Sequence, residues 1–364
     1  MIYPLLPVFV TSVLGVGAFA LGTIEAVAET TASLLKIASG YIADKTGRRK
    51  PIVVIGYSLS SLMKPLIGIA TLWQEVLFFR FMDRIGKGLR TSPRDALIAD
   101  VTDRTISGRA FGFHRAMDHA GAVLGPLAAV LLLKAAGLEL RTVFLLAFAP
   151  GVFVVLCLLF FVKEQSTPFK KERPSRITNP DEGRVLNRNF KVFLLSIFLF
   201  TLGNSSDAFL LLRLNQEGIS AAGTALLWSG FHIVKMLATY TGGRLSDRIG
   251  RKNMIIIGWL YYSVIYILFA FAEGETVLIS IFLAYGIYFG FTEPAERAWV
   301  ARLVPDSAKG RAYGFFHAIV GIAALPASLF FGLIWERLGY HYAFLAGGVI
   351  AALASLVVSF VKDS

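Results

Sequence analysis

Twelve runs of apolar residues, most of them about as long as a membrane is thick, leave this chain few folds to choose from. They fall at about residues 1–14, 18–42, 51–71, 74–96, 109–134, 141–162, 191–212, 219–243, 254–272, 276–297, 311–335 and 340–361 of the 364. A spanning helix needs about 20 such residues. A strand or loop would leave backbone groups unpaired in hydrocarbon, so each run is expected to be a helix. Composition agrees, with 55% hydrophobic and 16% charged residues where soluble domains hold roughly 45–50% and 25%. The expectation is an all-α membrane protein of about twelve spans in two pseudo-symmetric six-helix bundles, with a lipid bilayer as its solvent.

The net charge of +12 is spread between the apolar runs and forms no single basic face, so nucleic acid is not an expected partner. Lys45, Arg48, Arg49 and Lys50 follow the second run, and Arg244, Arg248, Arg251 and Lys252 follow the eighth. The stretch 163–190 carries Lys163, Lys170, Lys171, Arg173, Arg176, Arg184 and Arg188. The alternate loops hold only Lys134 with Arg141, then Arg213 and Arg337. Basic loops stay on the cytoplasmic side, which predicts multi-pass insertion in a cell membrane of the bacterial inner-membrane kind with both termini cytoplasmic. Pro168, Pro174 and Pro180 make 163–190 a linker between a bundle at 1–162 and another at 191–364. The single Cys157 permits no internal disulfide. No basic stretch precedes the opening MIYPLLPVFV, so the first spans are expected to target the chain.

Two motifs recur at one spacing. GRAFGFHRA at 108–116 returns as GRAYGFFHA at 310–318, an offset of 202, and Gly88 and Gly290 each stand 20 residues before a copy. GYIADKTGRRK at 40–50 returns as GGRLSDRIGRK at 242–252, again 202 on for its first glycine, with Asp44 answering Asp247 after a one-residue slip. Shared spacing of separate motifs indicates a duplicated six-helix unit, the organisation of carriers whose halves rock about a midplane site.

These residues carry a resemblance. The stretch from Gly40 through Asp44 and Gly47 to Arg48 and Arg49 is similar to the loop signature of the major facilitator superfamily, and the stretch with Asp247, Gly250 and Arg251 to its degenerate second copy. Arg80 looks like the family's buried arginine, and Gly121, Gly125 and Pro126 resemble the G-x-x-x-G-P motif of proton-coupled antiporters. Asp83-Arg84 and Ala128-Ala129 depart from the family pattern at those two motifs. The resemblance extends over the whole topology and implies a drug/proton-antiporter-like secondary transporter of unassigned substrate. Relatives sharing DRIGKGLRTSPRD, here 83–95, begin their first helix well before M-I-Y-P, so the first helix is expected to be shortened at its N-terminus.

Physics gives the signature a role. Asp44 can accept from the positive N-terminal end of a neighbouring helix, and its glycines allow close helix approach. A contact of that kind can hold one conformation and break in another, the gating role that the resemblance assigns to this aspartate. The basic residues serve equally as topology determinants. Gly121, Gly125 and Pro126 admit close packing with a kink as readily as a coupling role.

Charges inside the spans are more informative, since an ionisable group at the bilayer centre costs about 2.5–3.5 kcal/mol on insertion scales. At 1.5 Å per residue, Asp83 and Arg84 on the fourth run, and Asp118 and His119 on the fifth, lie about 15 Å deep and are expected to converge. One carboxylate pairs with Arg84 or Arg115, leaving the other to titrate. Asp118 leads the proton-coupling candidates and His119 follows, because burial raises a carboxyl pKa; a static network joining the two helices is the rival reading. Glu25 and Glu29 share a face at i, i+4 and look towards a cavity or Lys64. His232 and Lys235 are further cavity candidates, whereas Asp207 stands alone and Glu293 with Arg297 reads as a simple intrahelical pair. Arg90, Arg94 and Asp95 suit helix-end anchoring or a phosphate site.

An enzyme is not expected. The chain has no phosphate-binding G-x-x-x-x-G-K-[ST], no HExxH and no G-x-S-x-G, so neither cofactor nor metal is implied. A proton gradient is the expected energy source. A duplicated twelve-helix monomer with midplane charges fits alternating access better than a symmetric channel. The reading is proton-coupled efflux of a small organic solute; proton-coupled uptake and a non-transporting receptor or scaffold are the alternatives.

Overall fold

The structure, a computed structural model, describes residues 6, 9–15, 18–164, 185–205, 207–219 and 221–362. Every regular element among them is helical. After a π-helical turn at Phe9–Val13 come α1 (Ala18–Thr46), α2 (Lys50–Ile69), α3 (Trp73–Val101), α4 (Ser107–Lys134), α5 (Leu140–Leu146) and α6 (Phe148–Phe161). The second part holds α7 (Arg188–Gly203), α8 (Asp207–Gln216), α9 (Ala221–Ile249), α10 (Arg251–Phe271), α11 (Glu275–Arg302), α12 (Lys309–Leu338) and α13 (Tyr340–Ser359). The expected shortening of the first helix, and most of the linker at 163–190, lie outside the described residues.

Sharp turns between helices rest on glycines at positive φ: Gly47 at 64° and Gly250 at 97° begin the short connections after α1 and α9, a conformation that L side chains resist. Two expected spans arrive in pieces. The sixth bends at Ala147, which ends α5 and starts α6; the seventh breaks at Asn204 between α7 and α8. Seven helical stretches among the described residues are long and apolar enough to cross a membrane: 50–69, 107–133, 140–161, 251–271, 275–302, 306–338 and 340–359. Two of the other expected spans fall short of that measure for a physical reason. α3 is 29 residues long but carries Arg80, Asp83, Arg84, Lys87, Arg90, Arg94 and Asp95, which sink its hydropathy, and α7 alone has only 16 residues.

Packing divides the chain into two units. Unit 1 comprises Met1–Leu97, Ala122–Arg173 and Ser307–Ala318; unit 2 comprises Ile98–Gly121, Pro174–Asp306 and Ile319–Ser364. The start of α4 thus belongs with unit 2 and the start of α12 with unit 1. Inside unit 1, Phe9, Ile67, Val76 and Phe144 form an apolar cluster, and Ser39 Oγ donates to the Gly88 carbonyl of α3 at 2.9 Å. Unit 2 is built on aromatic rings. Trp259, Tyr262, Tyr266 and Tyr285 are fully buried, and Phe200 stacks on Trp259 at 4.6 Å.

Candidate functional site

The two signature loops form matching clasps. In unit 1, Asp44 near the end of α1 accepts from the backbone N–H groups of Gly310 at 2.9 Å and Arg311 at 2.8 Å, the opening turn of α12. In unit 2, Asp247 near the end of α9 accepts from those of Gly108 and Arg109, both at 2.8 Å, the opening turn of α4. Helix N-termini leave N–H groups unpaired and positive, so a carboxylate is the fitting partner. Each clasp therefore ties one sequence repeat to a helix of the other. A basic residue flanks each carboxylate: Arg49 at 3.5 Å from Asp44 and Arg251 at 3.0 Å from Asp247. Burial pulls the Arg49 guanidinium below its ordinary range, while Asp44 pushes it back up. Arg48 is exposed, its amide on Thr46 Oγ1 at 3.3 Å. The glycines are steric necessities. A Cβ at Gly310 would come to 2.6 Å from Asp44 Oδ1, and one at Gly40 would strike the Gly310 carbonyl.

The ionisable groups divide between the units. In unit 1, Arg80, Asp83 and Arg84 are all buried on α3, with Arg80 and Arg84 at 3.4 and 4.0 Å from the Asp83 carboxylate. Asp118 and His119 lie on the part of α4 that belongs to unit 2.

Unit 2 assembles its charges from several helices. Arg115 of α4 clamps Glu293 of α11 through Nε at 2.9 Å and Nη2 at 2.5 Å, while its Nη1 donates to Asp118 at 2.8 Å. His119 Nε2 lies 3.1 Å from the same Glu293 carboxylate, and its ring is 5.5 Å from that of His232 on α9. His232 also packs on Trp228 and Phe231, and its buried Nδ1 has no hydrogen-bond partner among the described residues. One turn further, the buried Lys235 ammonium sits 3.7 Å from Asp207 and over the rings of Phe289 and Phe231 at 3.4 and 4.2 Å. Tyr285 donates to the other Asp207 oxygen at 3.0 Å. A fork of arginine N–H groups matches both oxygens of a carboxylate.

Glu293 is the hub that the sequence reading missed. Arg297, its expected intrahelical partner, donates to the Glu293 backbone carbonyl at 2.7 Å. A signal was available in the repeat: Arg115 and His317 occupy equivalent positions, and His317 meets the fully buried Asp95 of α3 at 2.7 Å in unit 1. Asp118, the leading candidate, is the more exposed member of its pair, at 42% against 19% for Arg115. Among the described residues, a Cβ at Gly121 would meet nothing within 4 Å. Gly125 and Pro126 lie within α4, which runs unbroken through them. The Glu25 and Glu29 side chains lie outside the described residues.

Paired helix-end clasps and a many-helix charge hub, with only helices among the described residues and several of them long and apolar enough to cross a membrane, mark a polytopic membrane protein. The chain belongs to the major facilitator superfamily, whose sequence profile matches residues 1–217 and 193–364. It is 33% identical over 367 residues to an uncharacterized MFS-type transporter of Methanocaldococcus jannaschii, covering 99% of this chain and 90% of that one. It is 24% identical over 368 residues to the multi-drug resistance efflux pump PmrA of Streptococcus pneumoniae, covering 98% and 90%. The fold is similar to that of the Escherichia coli fucose:proton symporter, with a TM-score of 0.75 at 14% identity over 95% of this chain and 92% of that one. The chain is a multi-pass membrane transporter of this family and not an enzyme.

Proposed function

We propose that the protein exports a small organic solute across the cytoplasmic membrane in exchange for protons, by alternating access, as a monomer with its termini in the cytoplasm. The observation that carries this reading is the Glu293 hub: one half-buried carboxylate shared by an arginine and an imidazole. Protonation there alters how strongly α11 is held to α4. His119 and His232 form the relay, with the unpartnered His232 Nδ1 as the point where a proton or a polar solute group docks. Asp118 shares Arg115 with Glu293 and takes over its guanidinium when Glu293 is neutralised. Asp83 with Arg80 and Arg84 braces α3.

The moving bodies are the two repeats, 1–162 and 191–364, joined through 163–190. The clasps of Asp44 and Asp247, with Gly40, Gly47, Arg48, Arg49, Gly250 and Arg251 around them, hold the signature-loop side closed and release when the repeats rock. The named efflux pump among the relatives supports the outward direction.

Proteoliposomes with an imposed proton gradient and a panel of fluorescent amphipathic compounds test this. Solute should move against the proton flow, and His232→Phe, which keeps the ring contacts, should flatten the pH profile while leaving solute binding in place. Solute accumulating along the proton flow would make the protein a symporter and overturn the export assignment.

A further inference from the structure

Between the outer faces of α9 and α11 in unit 2 runs a groove of about 400 Å³. It exists because two glycines bring the helices together: a Cβ at Gly242 would strike the Gly290 carbonyl, and one at Gly290 the Ala238 carbonyl. With no side chains to fill the crossing, a trough remains over it. The trough is polar at one end only. Arg244 and Arg248 lie five residues and one residue before α9 ends at Ile249, whereas Ala238 lies eleven before it, about 16 Å deeper at 1.5 Å per residue. Ile287 and Phe291 line the apolar wall opposite. The surrounding surface is greasy: Leu237 is 58% and Ile249 41% exposed, a face suited to hydrocarbon and not to water.

We infer that this groove binds one anionic phospholipid, its phosphate between Arg244 and Arg248 and an acyl chain along the Ala238–Ile287 floor. Tails are forced upon the site, since a membrane-facing groove is filled by lipid. The headgroup is chosen by charge. The two guanidiniums stand one turn apart on one helix face, the lining contains no carboxylate, and arginine forks match phosphate oxygens. Arg244 is oriented in advance by Tyr240, whose hydroxyl is 2.6 Å from Nη2 and whose ring is 4.6 Å from the guanidinium carbon. The helix C-terminus adds negative potential that keeps both cations in place. The site belongs to one repeat alone: whichever way the one-residue slip is placed, Tyr41 or Ile42 stands opposite Arg244 in the first. α9 and α11 also carry Lys235 and Glu293, so a lipid seated across them braces the charge hub, whatever solute is carried.

Native mass spectrometry of the purified full chain tests the assignment. Phosphatidylglycerol should be retained over phosphatidylcholine by about fivefold per arginine. The Arg244→Gln/Arg248→Gln variant should lose that preference, still bind phosphatidylcholine, and unfold at an unchanged temperature when no lipid is added. Thr241→Trp, which plugs the exposed mouth of the trough, should lose both lipids. Undiminished phosphatidylglycerol preference in the double variant, or displacement of the lipid by equimolar glycerol 3-phosphate, would overturn the proposal, the latter by making this a soluble-phosphate site.

Discussion

Asp44 in unit 1 and Asp247 in unit 2 each capture the first free N–H groups of a helix from the other repeat, at distances that agree within 0.1 Å. The charge sites of the same units are alike only in part: Asp95 of α3 meets His317 of α12 in unit 1. Arg80, Asp83 and Arg84 of the same unit sit within about one turn of α3, in electrostatic reach of Lys64 on α2. In unit 2, Glu293 draws its partners from α4, with two imidazoles and a lysine–aspartate pair close by. Duplication thus preserved the mechanical parts in both copies and let part of the ionisable chemistry diverge. A clasp works only with a glycine-lined helix start and a carboxylate, so both copies are held to one solution. A charge cluster tolerates many arrangements that satisfy its members.

The largest expected effect separates the two charge sites. Removing one partner of a buried ion pair withdraws about 3–5 kcal/mol of interaction. Glu293→Gln should abolish gradient-driven transport in proteoliposomes, with Asp118→Asn showing a smaller loss. Asp83→Asn should lower the thermal unfolding temperature yet leave the pH profile of transport intact. If Asp83→Asn flattened the profile and Glu293→Gln did not, the chemistry would belong to unit 1.

Next come the clasps. Gly310→Ala and Gly108→Ala would each drive a Cβ against the capturing carboxylate, at 2.6 and 2.8 Å, and overpacking of this kind costs about 1–3 kcal/mol. Similar drops in unfolding temperature and transport rate are expected. A loss confined to one variant would show that the clasps are not equivalent in use.

The smallest effect lies at the opposite end of unit 2. Arg213, buried and laid over the Tyr340 ring at 4.1 Å, donates to Glu217. That bond, helped by the Gly274 N–H, holds the Glu217 carboxyl below its ordinary value of 4.5. Because the folded-state pKa is depressed, the stabilisation is present above the unfolded value and lost as pH falls through the folded one. The unfolding temperature should decline slightly below about pH 4.5, by little for so exposed a carboxylate, and Glu217→Gln should remove that part of the slope. An identical slope in the variant would assign it to other carboxylates.

The sequence by itself determined the helical class, the membrane setting, the duplication and the residues of both signature loops. These follow from linear quantities: the length of an apolar run, the spacing of repeated motifs, and a carboxylate type that suits a helix end. It did not show the break at Asn204 or the charged length of α3, because each still reads along the chain as one apolar block. Tertiary structure alone decided which charges meet. Glu293 and Arg115 lie 178 residues apart, and on the sequence Arg297 was the nearer cation. Only the packing of α4 against α11 turns the Glu293 carboxylate towards Arg115 and His119, and only the glycine crossing of α9 and α11 opens a groove beneath Arg244.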